Sequence, residues 1–154
     1  MRPIKMSFIL IALVVTNITI AQISQTNYVA NQVLVKDCQT DAIKTDFGVG
    51  NKAVIVYYVD HNGIEWVAIT LGTEVVYEVK VVNTEIDHPS SYIDVETKQG
   101  GVMSKGNCVG TISIFRVYNK EKNRKIPEFI RTQVNGADVA FEFHGIIQLK
   151  NQYQ

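Results

Sequence analysis

Three consecutive runs rich in Val, Ile, Tyr and Trp, at residues 53–60, 64–71 and 74–82, are separated only by short turn signals. That spacing constrains the fold more than any other feature, because extended segments so closely linked must pair with their chain neighbours as an antiparallel meander. Asn62-Gly63 suits a two-residue type I′ turn and Gly72-Thr73 a type II′ turn. Two-residue turns fix register. They set Val59 opposite Trp66, Tyr57 opposite Ala68, and Trp66 in turn opposite Val79. One face then collects Ile55, Tyr57, Val59, Ile64, Trp66, Ala68, Val75, Tyr77, Val79 and Val81, which is the expected core face. The other carries Val54, Val56, Tyr58, Val67, Ile69, Leu71 and Val76 at one end and Glu65, Glu78 and Lys80 at the other.

The C-terminal part repeats the logic. From Val139, apolar residues and Gly145 alternate with Glu142, His144 and Gln148, a period of two that indicates a strand. A turn at Asn135-Gly136 joins it to residues 128–134 and places Ile130 opposite Phe141 and Thr132 opposite Val139. Gly145 interrupts the apolar stripe and marks a bend or bulge. Further strands are expected at residues 28–36, 92–97 and 109–118, with Gly100-Gly101 and Gly106 in a loop. Thr40 to Phe47 is a candidate for one or two helical turns capped by Thr40 or Asp41. The expected fold is all-β: an antiparallel meander forming a β-sandwich or a small β-barrel of about eight strands.

The N-terminus supplies an address. Arg2 and Lys5 precede an apolar run from Met6 to Val15, and Thr19-Ile20-Ala21 offers small residues for cleavage before Gln22. Thr16, Asn17 and Thr19 break the run well short of the ~20 apolar residues of a transmembrane helix. The expected organisation is a signal peptide over 1–21 and one secreted or periplasmic β-domain over 22–154, with no transmembrane segment in the mature chain. Removing Arg2 and Lys5 leaves 13 of the 15 basic residues against 15 acidic ones, a balance that gives no reason to expect nucleic acid as a partner. In an oxidising compartment Cys38 and Cys108 are expected to pair. The loop closed would be worth on the order of 4 kcal/mol.

Signals of chemistry are sparse. His61, His88 and His144 lack zinc spacing, Asp60, Asn62 and Glu65 lack the calcium-loop pattern, and no serine-nucleophile motif is present. No metal, cofactor or catalytic residue is assigned, and an enzyme is not the favoured reading. The best acid and base pairs are Asp87-His88 and Glu142 with His144, whose alternation with apolar residues fits a solvated strand face.

Lys120, Lys122, Arg124 and Lys125 form a basic loop, a candidate contact for an acidic partner or an envelope surface. The meander resembles lipocalin-type barrels or small bacterial inhibitor barrels in architecture, without the glycine and tryptophan signature near a lipocalin's first strand. Likeness of architecture carries no function. The leading expectation is a non-catalytic secreted domain that binds a protein or cell-envelope component through an edge strand, the loop Asp87 to Tyr92 or the basic loop. The alternative is a barrel carrying a small apolar ligand near Tyr57, Trp66 and Tyr77, and the third is a hydrolase without a recognisable motif.

Overall fold

The computed structural model describes residues 25–103 and 108–149. The expected signal peptide and its cleavage point lie outside the described residues. Nine strands follow one another: β1 (Thr26–Asp37), β2 (Ile43–Val59), β3 (Glu65–Leu71), β4 (Glu74–Ser90), β5 (Ile93–Val102), β6 (Val109–Asn119), β7 (Arg124–Val134), β8 (Val139–His144) and β9 (Ile147–Leu149). Each of the first seven pairs antiparallel with the next, and β8 pairs back onto β1. The result is a closed eight-stranded antiparallel barrel with β9 as a short extra strand on β1. Eight strands enclose an interior just wide enough for side chains to fill. Here Ile55, Val67, Ile69, Val79, Val102, Ile112, Ile114 and Ile130 fill it, all essentially inaccessible to solvent.

The β2–β3 turn differs from the expected type, and the difference reverses a face. Asp60 pairs with Ile64 through its backbone, and Gly63 donates back to the Asp60 carbonyl, so the loop has three residues. Asp60 Oδ1 accepts the N–H groups of Asn62 and Ile64, and Gly63 takes a φ of +78° while Asn62 does not take a positive φ. This is the type I turn closed by a left-handed glycine, which a type I′ assignment overlooks. One added residue turns β3 over. Val67 and Ile69 therefore enter the core, Tyr58 pairs with Trp66, and Trp66 leaves the core face.

Gly72-Thr73 forms the expected two-residue connection, with Leu71 paired to Glu74. A bulge at Val76 then restores Tyr77 and Val79 to the interior. Two one-residue departures cancel, which is why the β2 and β4 assignments survive while that of β3 does not. Val75 and Val59 are exposed rather than core. The β7–β8 pairing is displaced by two residues, placing Ile130 opposite Phe143 and Thr132 opposite Phe141. An even displacement keeps every side chain on its expected face.

Three further expectations are corrected. Residues 40–47 are not helical: the Asp37 carboxylate accepts the N–H groups of Gln39 and Thr40, Asp41 takes a left-handed φ, and β2 begins at Ile43. Gly100 and Gly101 lie within β5, and β4 continues to Ser90. Cys38 and Cys108 are both free. Cys38 follows β1 and Cys108 precedes β6, and β7 and β8 lie between those strands. Three strand spacings are about 14 Å, well beyond the reach of a disulfide.

Candidate functional site

The barrel has two unlike ends. At the first end, Leu71 of β3, Val76 and Tyr77 of β4, Val134 of β7 and Val139, Phe141 and Phe143 of β8 surround a hollow of about 520 Å³. Phe143 is buried against the core, whereas Phe141 is 38% exposed at the rim. Tyr77 crosses toward β6 and β7, donating to the carbonyls of Gln133 (3.1 Å) and Thr111 (3.4 Å). Gly110 gives it passage, because a Cβ there would stand 2.2 Å from the Tyr77 hydroxyl. Burial raises the Tyr77 pKa, keeping the phenol protonated. An adjoining hollow of about 470 Å³ runs from Val33 and Leu71 to Phe47. Phe47 belongs to an exposed arm of β2 that also carries Ile43 and Val49.

At the other end, inward positions carry charge. Glu65, Glu96, Lys98 and Arg116, together with Tyr28 and Tyr57, line a hollow of about 290 Å³. Lys98 Nζ meets Glu65 Oε1 at 2.5 Å and donates to Thr84 Oγ1 at 3.3 Å, and it lies 5.8 Å from the centre of the Tyr57 ring. Arg116 approaches Glu96 at 3.6 Å. The Tyr57 hydroxyl is buried without a hydrogen-bond partner among the described residues, a deficit of about 1–3 kcal/mol. Burial holds its pKa well above the ordinary phenol value. Further out, Asp94 joins Lys125 and His88, whose Nδ1 lies 2.6 Å from Asp94 Oδ1. The hydrogen bonds from Lys125 and then His88 lower the Asp94 pKa.

Apart from Glu65 on β3, these charges lie on a flap. β3 pairs with β4 only as far as Lys80, and β8 pairs with β7 only from Phe129 onward. Residues 82–90 of β4 thus have β5 on one side and no strand on the other among the described residues, and residues 124–128 of β7 are likewise paired only to β6. Between β7 and β9 runs a groove of about 530 Å³ lined by Ile126, Pro127 and Ile147.

The residues singled out in the sequence are dispersed. Tyr57 is at the polar end and Tyr77 at the apolar end, while Trp66 faces outward, stacked on Tyr58 at 6.5 Å. Trp66 Nε1 donates to Asp60 Oδ2 at 2.9 Å, and that bond leads the lowering of the Asp60 pKa. Lys120, Lys122 and Arg124 are exposed on the β6–β7 turn, and Lys125 is tied to Asp94. Asp87 and His88 do not act as a pair, since His88 meets Asp94.

Glu142 and His144 do meet, at 2.9 Å on the outer wall. Glu142 is 2% exposed and also receives Lys36 and Arg131, each at 3.2 Å. His144 stacks on Phe129. The cluster ties β1, β7 and β8 together. Among the described residues no three His, Cys, Asp or Glu side chains group as metal ligands, and no helix is long and apolar enough to cross a membrane.

The inward phenylalanines and the charged flap were the site features missed. Phe141 and Phe143 had a signal in their period-two alternation. Glu96, Lys98 and Arg116 had none, because a charge on an inward strand position looks like any surface charge. In comparisons with known proteins, no family model, no curated protein and no solved structure matches this chain.

Proposed function

We propose that the protein is a secreted or periplasmic carrier of a small apolar ligand, held at the Phe141–Phe143 end of the barrel. One observation carries this reading: the hollow of about 520 Å³ walled by Leu71, Val76, Val134, Val139, Phe141 and Phe143. That volume falls in the usual range for small-molecule pockets. Apolar walls supply affinity through burial, at about 25 cal/mol per Å² removed from water. The lining also includes Thr132, Gln133 and Asn135, polar groups few enough to orient a guest while the apolar walls hold it.

The test is titration with 1-anilinonaphthalene-8-sulfonate, followed by displacement with long-chain fatty acids. Saturable one-to-one binding to the native protein is expected, with Phe141→Asp abolishing it and leaving the fold intact, since Phe141 is partly exposed. Absence of saturable binding, or binding indifferent to Phe141→Asp, overturns the reading.

A second reading, a protein partner bound by strand addition, is favoured by the one-sided pairing of β4 over residues 82–90. Glu85, Asp87 and Pro89 on that segment are the residue types that guard an edge against indiscriminate pairing. A photo-crosslinker at Glu85 that captures a discrete partner from the native source, while one at Glu121 does not, supports it. Equal capture at both positions counts against it.

A further inference from the structure

We propose that the polar end of the barrel binds a small zwitterion, a molecule of amino-acid size carrying one carboxylate and one ammonium. The site is separate from the apolar hollow, because Ile55, Ile69, Ile112 and Ile114 fill the barrel between them. Its hollow of about 290 Å³ is walled by Tyr57, Glu65, Glu96, Lys98 and Arg116. The lining is thus two carboxylates and two cations. A lone anion or cation entering it would leave an unbalanced charge in a partly buried setting, whereas a zwitterion would not.

Two groups have hydrogen-bonding capacity to spare. Tyr57 is 8% exposed, and its hydroxyl has no partner among the described residues. Arg116 touches Glu96 through one nitrogen at 3.6 Å, longer than a hydrogen bond, so its planar fork can take a carboxylate through two N–H groups. Lys98, by contrast, is occupied by Glu65 and Thr84. The geometry therefore assigns the guest's carboxylate to Arg116 and the Tyr57 hydroxyl. Its ammonium goes to Glu96, whose contact with Arg116 is long.

Two-dimensional NMR titration of the protein with glycine, β-alanine, 4-aminobutyrate and 6-aminohexanoate tests this, with acetate and methylamine as single-charge controls. At least one amino acid should saturate with a dissociation constant below about 1 mM and shift the Glu96, Lys98 and Arg116 amides, and both controls should bind at least roughly tenfold more weakly. Tyr57→Phe, which keeps the ring and removes only the unpartnered hydroxyl, should weaken binding roughly tenfold while leaving the thermal midpoint unchanged or higher. Arg116→Gln should weaken it further. Failure of all four amino acids to saturate overturns the proposal. So does acetate binding as tightly as they do, or affinity unmoved by Tyr57→Phe.

Discussion

The two ends of the barrel are built by the same strands with the same alternation, yet one is lined by phenylalanine, leucine and valine and the other by paired charges. β3 has Ile69 and Leu71 toward the apolar end and Glu65 toward the polar end. β5 has Val102 at one end and Lys98 and Glu96 at the other, and β6 has Ile112 and then Arg116. The cause is the opposite wall. Where the ring is complete, an inward side chain meets only other side chains and must be apolar. Where β3 stops at Glu65 while β4 to β7 continue as a flap, inward positions face a partly open space and can keep their charges. Facing inward is thus a necessary condition for core, and a closed ring of neighbours supplies the rest.

The strongest challenge to that contrast is the layer between the ends. Ile69→Ala should cost about 2–5 kcal/mol because the closed ring cannot collapse onto the space. Trp66→Ala, three residues away on the same strand but outside, should cost only about 1–2 kcal/mol through its lost stacking and hydrogen bond. Chemical denaturation of both variants measures the difference, and the reverse order would mean that the middle is hollow and the two ends are one cavity.

Next in size is Lys98→Met. It leaves Glu65 unpaired, but Glu65 keeps about a third of its side-chain exposure, so about 1–2 kcal/mol is expected rather than the 3–5 kcal/mol of a fully buried broken pair. A larger loss would show that the polar end is closed.

Acid should affect both ends together. Asp37 and Asp41 at the β1–β2 turn, and Asp60 and Asp94 at the polar end, all have lowered pKa values. The leading causes are hydrogen bonds from Lys44, Arg131, Trp66 and Lys125 respectively. A depressed carboxylate binds fewer protons when folded, so its contribution is present above the unfolded value near 3.8 and disappears as pH falls through the folded one. Thermal midpoints should therefore drop between pH 4 and pH 2. Hydrogen exchange should show amides at both ends losing protection before those of β6, and loss at one end alone would separate the two.

The smallest effect belongs to the basic turn, where Lys122→Ala should stay within about 0.5 kcal/mol in the same denaturation assay.

The fold was legible where the pattern is redundant. Alternation placed Ile55, Tyr57, Tyr77, Val79, Ile130 and Phe143 correctly, even though the β7–β8 pairing differs from expectation by two residues. The β2–β3 turn had no such tolerance, because a one-residue change exchanges faces. Asp60 followed three residues later by Gly63 was the available signal: aspartate opens a type I turn and glycine closes it in the left-handed region.

Less was legible at the site. The 40–47 segment has a cap candidate in Thr40 or Asp41 but few strong helix formers beyond Ala42 and Lys44, and the Asp37 carboxylate with its partner Lys44 organises a turn there instead. The charges on β5 and β6 resemble surface residues until the missing wall is known, and that absence depends on where β3 and β8 end.

The closure of β8 on β1 has a consequence for how the protein forms. Val33 pairs with Phe143, so the ring joins segments separated by about a hundred residues, whereas every other junction links chain neighbours. Loop-closure entropy makes so distant a pairing slow. During synthesis, β1 to β7 can assemble as an open, curved sheet with one edge of β1 and one of β7 unsatisfied. The six residues of β8 pair with both. Until they arrive, the molecule has two sticky edges, and its exposure to misassociation is set by the time taken to deliver Val139 to His144.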